Sequence, residues 1–206
     1  VLEKLENYSR ILNAMNMLYW EHTIMTLGSI VMENLKLDDE KHKVAGVMIL
    51  ESMVDVRKDS QAEQSFRDIF KQTFELIGTS KSVVLRIVAL NCVEKIISAF
   101  INIPYQTTTL TEVINGFLHL VTVKDPTETG LQIKLLALNA LDTLAIKSKD
   151  VRQFLTAFQN QVNIVMDVLF QVINEFQNTS LIDSVFATMF SLIENIMDPK
   201  LLNYYF

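Results

Sequence analysis

The chain has 206 residues, of which 50% are hydrophobic, and it carries a net charge of −6 with only 5 glycines and 3 prolines. This composition favours long helices with short connections and excludes disordered or collagen-like structure. No apolar run approaches the roughly 20 uninterrupted residues of a membrane span, and an acidic chain lacks the basic face that nucleic-acid binding requires. We therefore expect no membrane insertion and no direct nucleic-acid partner.

Apolar residues recur at helical spacing along the whole chain, and start and stop signals divide it into predicted helices. A leading helix covers 1–14, and further helices cover 17–35, 39–58, 60–78, 82–102, 109–123, 126–147, 150–177 and 180–197. The predicted helix starts are capping boxes at Ser60–Glu63 and Thr109–Glu112, the acids Asp38–Glu40, and Asp125-Pro126. Gly78 suits the left-handed residue that ends a helix.

One helical segment occurs three times, at Lys43–Met53, Arg86–Ile96 and Lys134–Leu144, with a fainter copy at Phe186–Ile196. Each of the three begins with a cation, continues through small and apolar residues, has an acid at its ninth position and ends on an apolar residue. Recurrence of a helical segment every 40–50 residues or so is typical of solenoids built from helical hairpins.

We therefore predict an all-α fold, a right-handed α-solenoid of about four stacked helical hairpins plus a leading helix. The predicted single repeat domain comprises the leader at 1–14, hairpins at about 17–58, 60–102, 109–147 and 150–197, and a tail at 199–206. Because the sequence begins with Val1 and not with methionine, we expect it to be a fragment of a longer chain.

Over about residues 17–197 the chain resembles the HEAT/armadillo superfamily of helical repeats. The second helix of a HEAT repeat begins with a Val-Arg-like pair followed by spaced Ala and Leu. Similar residues are Leu85-Arg86 with Ala89-Leu90, and Ile133-Lys134 with Ala137-Leu138. The armadillo pattern is Ala-Leu-x-Asn-Leu, and its asparagine binds an extended peptide. Only the segment Leu192–Ile196 has an asparagine, Asn195, at this position, whereas two other copies have Lys95 and Thr143 there. The resemblance implies a protein-binding scaffold or adaptor, not an enzyme.

No catalytic, cofactor-binding or metal-binding pattern is recognisable in the sequence. His22, His42 and His119 lie in different predicted helices, and the chain has neither a glycine-rich phosphate loop nor a hydrolase or protease motif. We predict no enzymatic activity, no cofactor and no metal. The single cysteine, Cys92, is predicted to be a small buried core residue, and it favours a reducing intracellular compartment, cytoplasmic or nuclear.

The repeated acids are the leading candidates for partner binding. Glu51, Glu94 and Asp142 occupy the ninth position of the three copies, and stacked helices would place them about 10 Å apart. Such a row suits a basic helix or an extended basic segment of a protein partner, although a solvated helix face is the simpler alternative. The neighbouring residues Asn91, Asn139, Glu194 and Asn195 complete this candidate surface.

Aromatic residues near both ends of the sequence are further candidates. Trp20 either packs within the first hairpin or anchors a partner. Tyr204, Tyr205 and Phe206 either begin a further helix, fold back as a cap or contact a partner.

Two other functions remain open at this point. The C-terminal half is poorer in charged residues, so it is a candidate for self-association into a homodimer. An all-α GTPase-regulatory domain is less favoured, because such domains present a catalytic arginine from a loop. Here the arginines of the predicted array, Arg57, Arg67, Arg86 and Arg152, lie in helices or at their edges.

Overall fold

A computed structural model describes residues 7, 10–12, 14–15, 27–54, 72–99, 107–148 and 152–196 of the chain. These residues form helices and short connections, with no strand among them, which confirms the predicted all-α class. The chain divides into two compact units, Val1–Phe100 and Ile101–Phe206, and the boundary falls near the end of the second predicted hairpin. Each unit is described by itself below.

The first unit contains helices α1, Glu40–Val54, and α2, Val83–Ala99. Further helical residues lie at 10–12, 14–15, 27–36 and 72–79. Helix α1 begins where the acids predicted it, because the Asp39 carboxylate accepts a hydrogen bond from the Lys41 amide at 3.3 Å. The prediction for Gly78 was wrong. This residue remains helical, and none of the described glycines has a positive φ angle.

Helix α1 packs directly on α2, so that the second helices of the two predicted hairpins are neighbours. At their N-terminal ends, Glu40 Oε1 accepts hydrogen bonds from the Ser82 amide at 3.1 Å and the Ser80 hydroxyl at 3.2 Å. The first residue of α1 thereby satisfies a backbone donor at the start of α2. Completely buried aliphatic side chains, including Leu50, Leu85 and Val93, stabilise the unit.

The repeated segment has a small residue at its fourth position for a steric reason. Gly46, Ala89 and Ala137 occupy this position, and all of them are buried. A Cβ atom on Gly46 would lie 3.0 Å from Asn34 Cβ and 3.4 Å from the Val31 carbonyl oxygen. The helical residues 27–36 therefore lie close to α1 at the glycine, and a larger side chain there would force the two helices apart.

The second unit contains helices α3, Thr107–Thr122; α4, Glu128–Ser148; α5, Arg152–Glu175; and α6, Thr179–Asn195. Helix α4 packs most extensively on α6, and α3 packs on α5. Helices that are consecutive in the chain also touch, at α3–α4, α4–α5 and α5–α6. Thus the first helices of the two predicted hairpins are neighbours, as are the second helices.

Two helix starts in this unit differ from the prediction. The capping box at Thr109 was wrong, because α3 already begins at Thr107. Helix α4 begins at Glu128 and not at Pro126, because Thr127 is its cap: the Thr127 hydroxyl accepts from the Gly130 amide at 3.0 Å. Asp125 supports this turn by accepting from the Thr127 amide at 2.9 Å and from its hydroxyl at 2.6 Å. The capping box at Ser60–Glu63 lies outside the described residues.

The fainter fourth copy of the repeat is shifted by one residue in the structure. In the three clear copies the fourth, fifth and eighth positions are buried; these residues are Gly46, Val47 and Leu50, then Ala89, Leu90 and Val93, then Ala137, Leu138 and Leu141. In α6 the corresponding buried residues are Thr188, Met189 and Leu192. The sequence alignment instead assigns the fifth position to Phe190, which is 63% exposed.

Candidate interaction surface on the second helices

Glu51, the first acid of the predicted row, is already neutralised within its own unit. Its Oε1 lies 2.9 Å from Nζ of Lys95 on α2, and the Glu51 side chain is only 15% exposed. The ion pair joins the two second helices across their interface, because Glu51 belongs to α1. Glu51 therefore faces α2 and stabilises the packing within unit 1.

Asp142 of α4 has a different environment from Glu51. Its side chain is half-buried, and its Oδ1 atom is buried without a hydrogen-bond donor among the described residues. A carboxylate oxygen that is removed from water and left without a donor lowers the stability of a fold. Nearby on the same helix, Asn139 is exposed. In unit 1, Asn91 and Glu94 are both half-buried.

Glu194 and Asn195 lie at the end of α6, where the one-residue shift changes their places. In this register Ile193 takes the acidic position, and Glu194 corresponds to Lys95 of α2. Glu194 is exposed, whereas the Asn195 side-chain amide donates to the Ser191 carbonyl of its own helix at 2.8 Å. An armadillo-like clamp at Asn195 could still use the second amide hydrogen and Oδ1 of this side chain. The aromatic candidates Trp20, Tyr204, Tyr205 and Phe206 lie outside the described residues.

Two exposed aromatic side chains on α6 were not among the predicted site residues. Phe186 is 44% exposed and Phe190 is 63% exposed, and they follow each other by one helical turn. A sequence signal existed, since Leu181, Val185 and Leu192 already complete an apolar face for the core of α6. Further apolar residues on α6 therefore lie outside the core and are exposed.

Two of the three cations that begin the repeated segments, Arg86 and Lys134, are held by contacts inside their units. Arg86 Nε donates to the Ile77 carbonyl at 3.0 Å, at the end of the preceding helix. Lys134 is only 2% exposed, and its Nζ lies 5.1 Å from the centre of the Phe176 ring, a cation–π contact. Burial lowers the pKa of Lys134 below 10.5, while the Asp125 carboxylate acts in the opposite direction.

An open apolar cavity of about 720 Å³ lies in unit 1 on the outer side of α1. Val44, Met48 and Ile49 of α1 form one wall, Val84 of α2 another, and Ile11 of the leading segment borders it. Its volume is in the range of known ligand sites, and Glu40, Lys41 and Ser82 also border it, with the Glu40 carboxylate accepting a hydrogen bond from the Ser82 amide.

Among the residues that the structure describes, no group of three or more His, Cys, Asp or Glu side chains is arranged to hold a metal ion. His42 is hydrogen-bonded to the Asp39 carboxylate, and this bond is the main reason why the pKa of Asp39 lies below its usual value. The hydrogen bond from the Lys41 amide lowers this pKa further. Cys92 is completely buried, as predicted, and forms no disulfide. In the described part of the chain, no helix combines the length and apolarity that crossing a bilayer requires.

No protein-family model, curated protein or solved structure matches the chain.

Proposed function

We propose that each unit is a pair of stacked hairpins from an α-solenoid of the HEAT/armadillo type, and that the chain is a non-enzymatic scaffold or adaptor. It binds a segment of another protein on the surface that its second helices line. The compartment we propose is intracellular.

The observation that carries this proposal is the order in which the helices pack. Second helix lies against second helix at α1–α2 and at α4–α6, and first helix lies against first helix at α3–α5. An isolated helical bundle has no need of this order, whereas stacked hairpins require it, because each repeat covers the corresponding face of the next. Solenoids use the extended surface along one layer of helices to bind other proteins.

Side chains on the second helices support this choice of surface. Asp142 of α4 is half-buried, so its negative charge is partly open to a lysine or arginine of a partner. Next to it along α4, Asn139 is exposed and able to both donate and accept hydrogen bonds. Glu51 is not part of the proposed contact, because its carboxylate already forms an ion pair with Lys95.

The test is affinity capture of binding proteins from a cell lysate, comparing the wild type with the double variant Asn139→Lys/Asp142→Asn. These changes reverse the charge balance of the α4 surface while leaving the shape at position 142 nearly unchanged. The matched control is Asp167→Lys/Gln171→Asn on α5, where both residues are exposed on a first helix. Circular dichroism establishes that all three proteins are folded.

We expect a protein that the wild type and the α5 control retain, and that the α4 variant loses. Equal retention by all three would contradict binding on the second-helix surface. Retention lost only in the α5 control would place the contact on the first helices instead.

A further inference from the structure

Four exposed residues form a single stripe along the outer side of α6. Asp183, Phe186, Phe190 and Glu194 follow one another at spacings of three, four and four residues, which places them on one side of a helix. All four are exposed, and the two phenylalanines lie between the two acids. We name this set the α6 stripe.

The composition of α6 gives the stripe a definite chemistry. The helix from Thr179 to Asn195 contains no lysine, arginine or histidine, so its two carboxylates have no compensating cation on the same helix. Two large aromatic side chains left 44% and 63% exposed one turn apart mark an apolar contact site and not a solvated face. An apolar centre between two negative ends selects a ligand with an apolar centre between two positive ends.

We propose that the α6 stripe binds an amphipathic basic helix of a partner protein. Two apolar residues one turn apart on that helix would cover Phe186 and Phe190, and a lysine or arginine near each end would meet Asp183 and Glu194. The two acids are separated by 11 residues of helix, or about 16 Å at 1.5 Å per residue, which a helix of about four turns spans. This inference rests on the proposed scaffold function and names the chemistry of the partner.

The charges also favour this occupant over a second copy of the chain. In a symmetric pair of α6 helices, each end of the stripe would meet an acid, because Asp183 and Glu194 are both negative. Such like-charge contacts oppose association. A basic helix has no such conflict.

The experiment uses the full chain and a synthetic probe, a fluorescently labelled amphipathic peptide with Lys, Leu, Leu and Lys at the same spacings of three, four and four. A matched probe carries glutamate in place of both lysines. Binding is measured by fluorescence anisotropy at low and high ionic strength. We expect the basic probe to bind, more weakly as salt is added, and the acidic probe to bind at least about tenfold more weakly.

Two variants of the chain locate the contact. Phe190→Ser removes the most exposed aromatic group and is expected to weaken the basic probe by about tenfold or more. Asp183→Lys/Glu194→Lys is expected to exchange the preference, so that the acidic probe becomes the better ligand. The matched control, Ile164→Ser/Asp167→Lys, alters an exposed apolar residue and an exposed acid on α5 and is expected to change neither affinity.

The exchange of preference is the decisive result, because a variant that only loses stability is expected to bind the basic probe less well without coming to prefer the acidic one. Equal binding of both probes, or a basic probe that binds the Phe190→Ser protein as well as the wild type, would overturn the inference. So would concentration-dependent dimerisation that Phe190→Ser abolishes, because the occupant would then be a second copy. A probe that binds only after residues 198–206 are removed would also overturn it, by assigning the stripe to the chain itself.

These outcomes are separable from the test of the scaffold function. If the partner captured from lysate is lost on changing Asn139 and Asp142 while the peptide probes fail, the scaffold function stands and only the α6 stripe is refuted. If the probes bind as expected and no partner depends on α4, the stripe stands and the α4 surface is refuted.

Discussion

Gly130, in the first turn of α4, is expected to tolerate no side chain, and its replacement by alanine tests the geometry of the turn before α4. An added Cβ would lie 2.6 Å from both the Cβ and the carbonyl oxygen of Asp125, and it would also collide with Asp125 Cγ. The conformation of the backbone is not the obstacle, because none of the described glycines has a positive φ angle. The obstacle is the close approach of the Asp125 turn.

The expected magnitude follows from three contributions. Replacing glycine with alanine in a helix favours folding by about 1 kcal/mol. Overpacking against a backbone oxygen costs about 1–3 kcal/mol. Displacing Asp125 also weakens its hydrogen bonds to Thr127, a capping contribution of about 1 kcal/mol. The net expectation for Gly130→Ala is a loss of about 2 kcal/mol in the free energy of unfolding.

Gly78→Ala is the matched control, because a Cβ on this helical glycine would meet no atom within 4 Å. We expect it to raise the free energy of unfolding by about 0.5–1 kcal/mol through helix propensity. Both variants are compared with the wild type by urea unfolding followed by circular dichroism. A Gly130→Ala protein as stable as the wild type would show that the close approach of Asp125 to Gly130 is incorrect.

Three further predictions concern the charges and caps. Burial lowers the pKa of Lys134, so between the lowered pKa and 10.5 the unfolded chain binds more protons than the folded chain. The free energy of unfolding of the wild type should therefore rise, relative to that of Lys134→Met, as the pH increases towards 10.5. Parallel pH profiles of the two proteins would contradict this. The variant Glu51→Lys should lose about 1 kcal/mol in the free energy of unfolding, because the ion pair is partly exposed. The exchange variant Glu51→Lys/Lys95→Glu should recover most of this loss. A double-mutant cycle in which the two changes are additive would rule out the pair. Replacement of Asn178 by alanine should cost about 1 kcal/mol by removing the cap on the Leu181 amide, whereas Asn178→Asp should cost little, and equal thermal unfolding of both variants would exclude the cap.

Within the residues that the structure describes, the sequence predicted the helices well because their signals are local. Helical periodicity and the acids before α1 and α4 depend only on neighbouring residues. The recurrence at Lys43, Arg86 and Lys134 stays a prediction of equivalent helices, although the small and apolar positions of the three segments are buried alike. Errors at the ends of helices arose where two caps compete, as at Pro126 and Thr127, and only the hydrogen bond to Gly130 decides between them.

The candidate site was harder to predict because charge pairing depends on neighbours that are distant in the sequence. Glu51 and Asp142 have the same place in the repeat, yet a lysine from another helix satisfies only the first. The register of α6 was missed for a related reason. Its aromatic residues fit the apolar pattern of the repeat, and only their exposure shows that Met189, and not Phe190, faces the core.

The carboxylate of Glu40 links the start of α2 to the start of α1. It accepts from the Ser82 amide, 42 positions later in the chain, and this amide also donates to the Ser80 hydroxyl at 3.0 Å. The amide therefore keeps a local acceptor when α1 is removed, and only the acceptor from α1 is lost. Dissection of this unit into single hairpins would thus weaken the N-terminus of α2 without leaving the Ser82 amide unpaired.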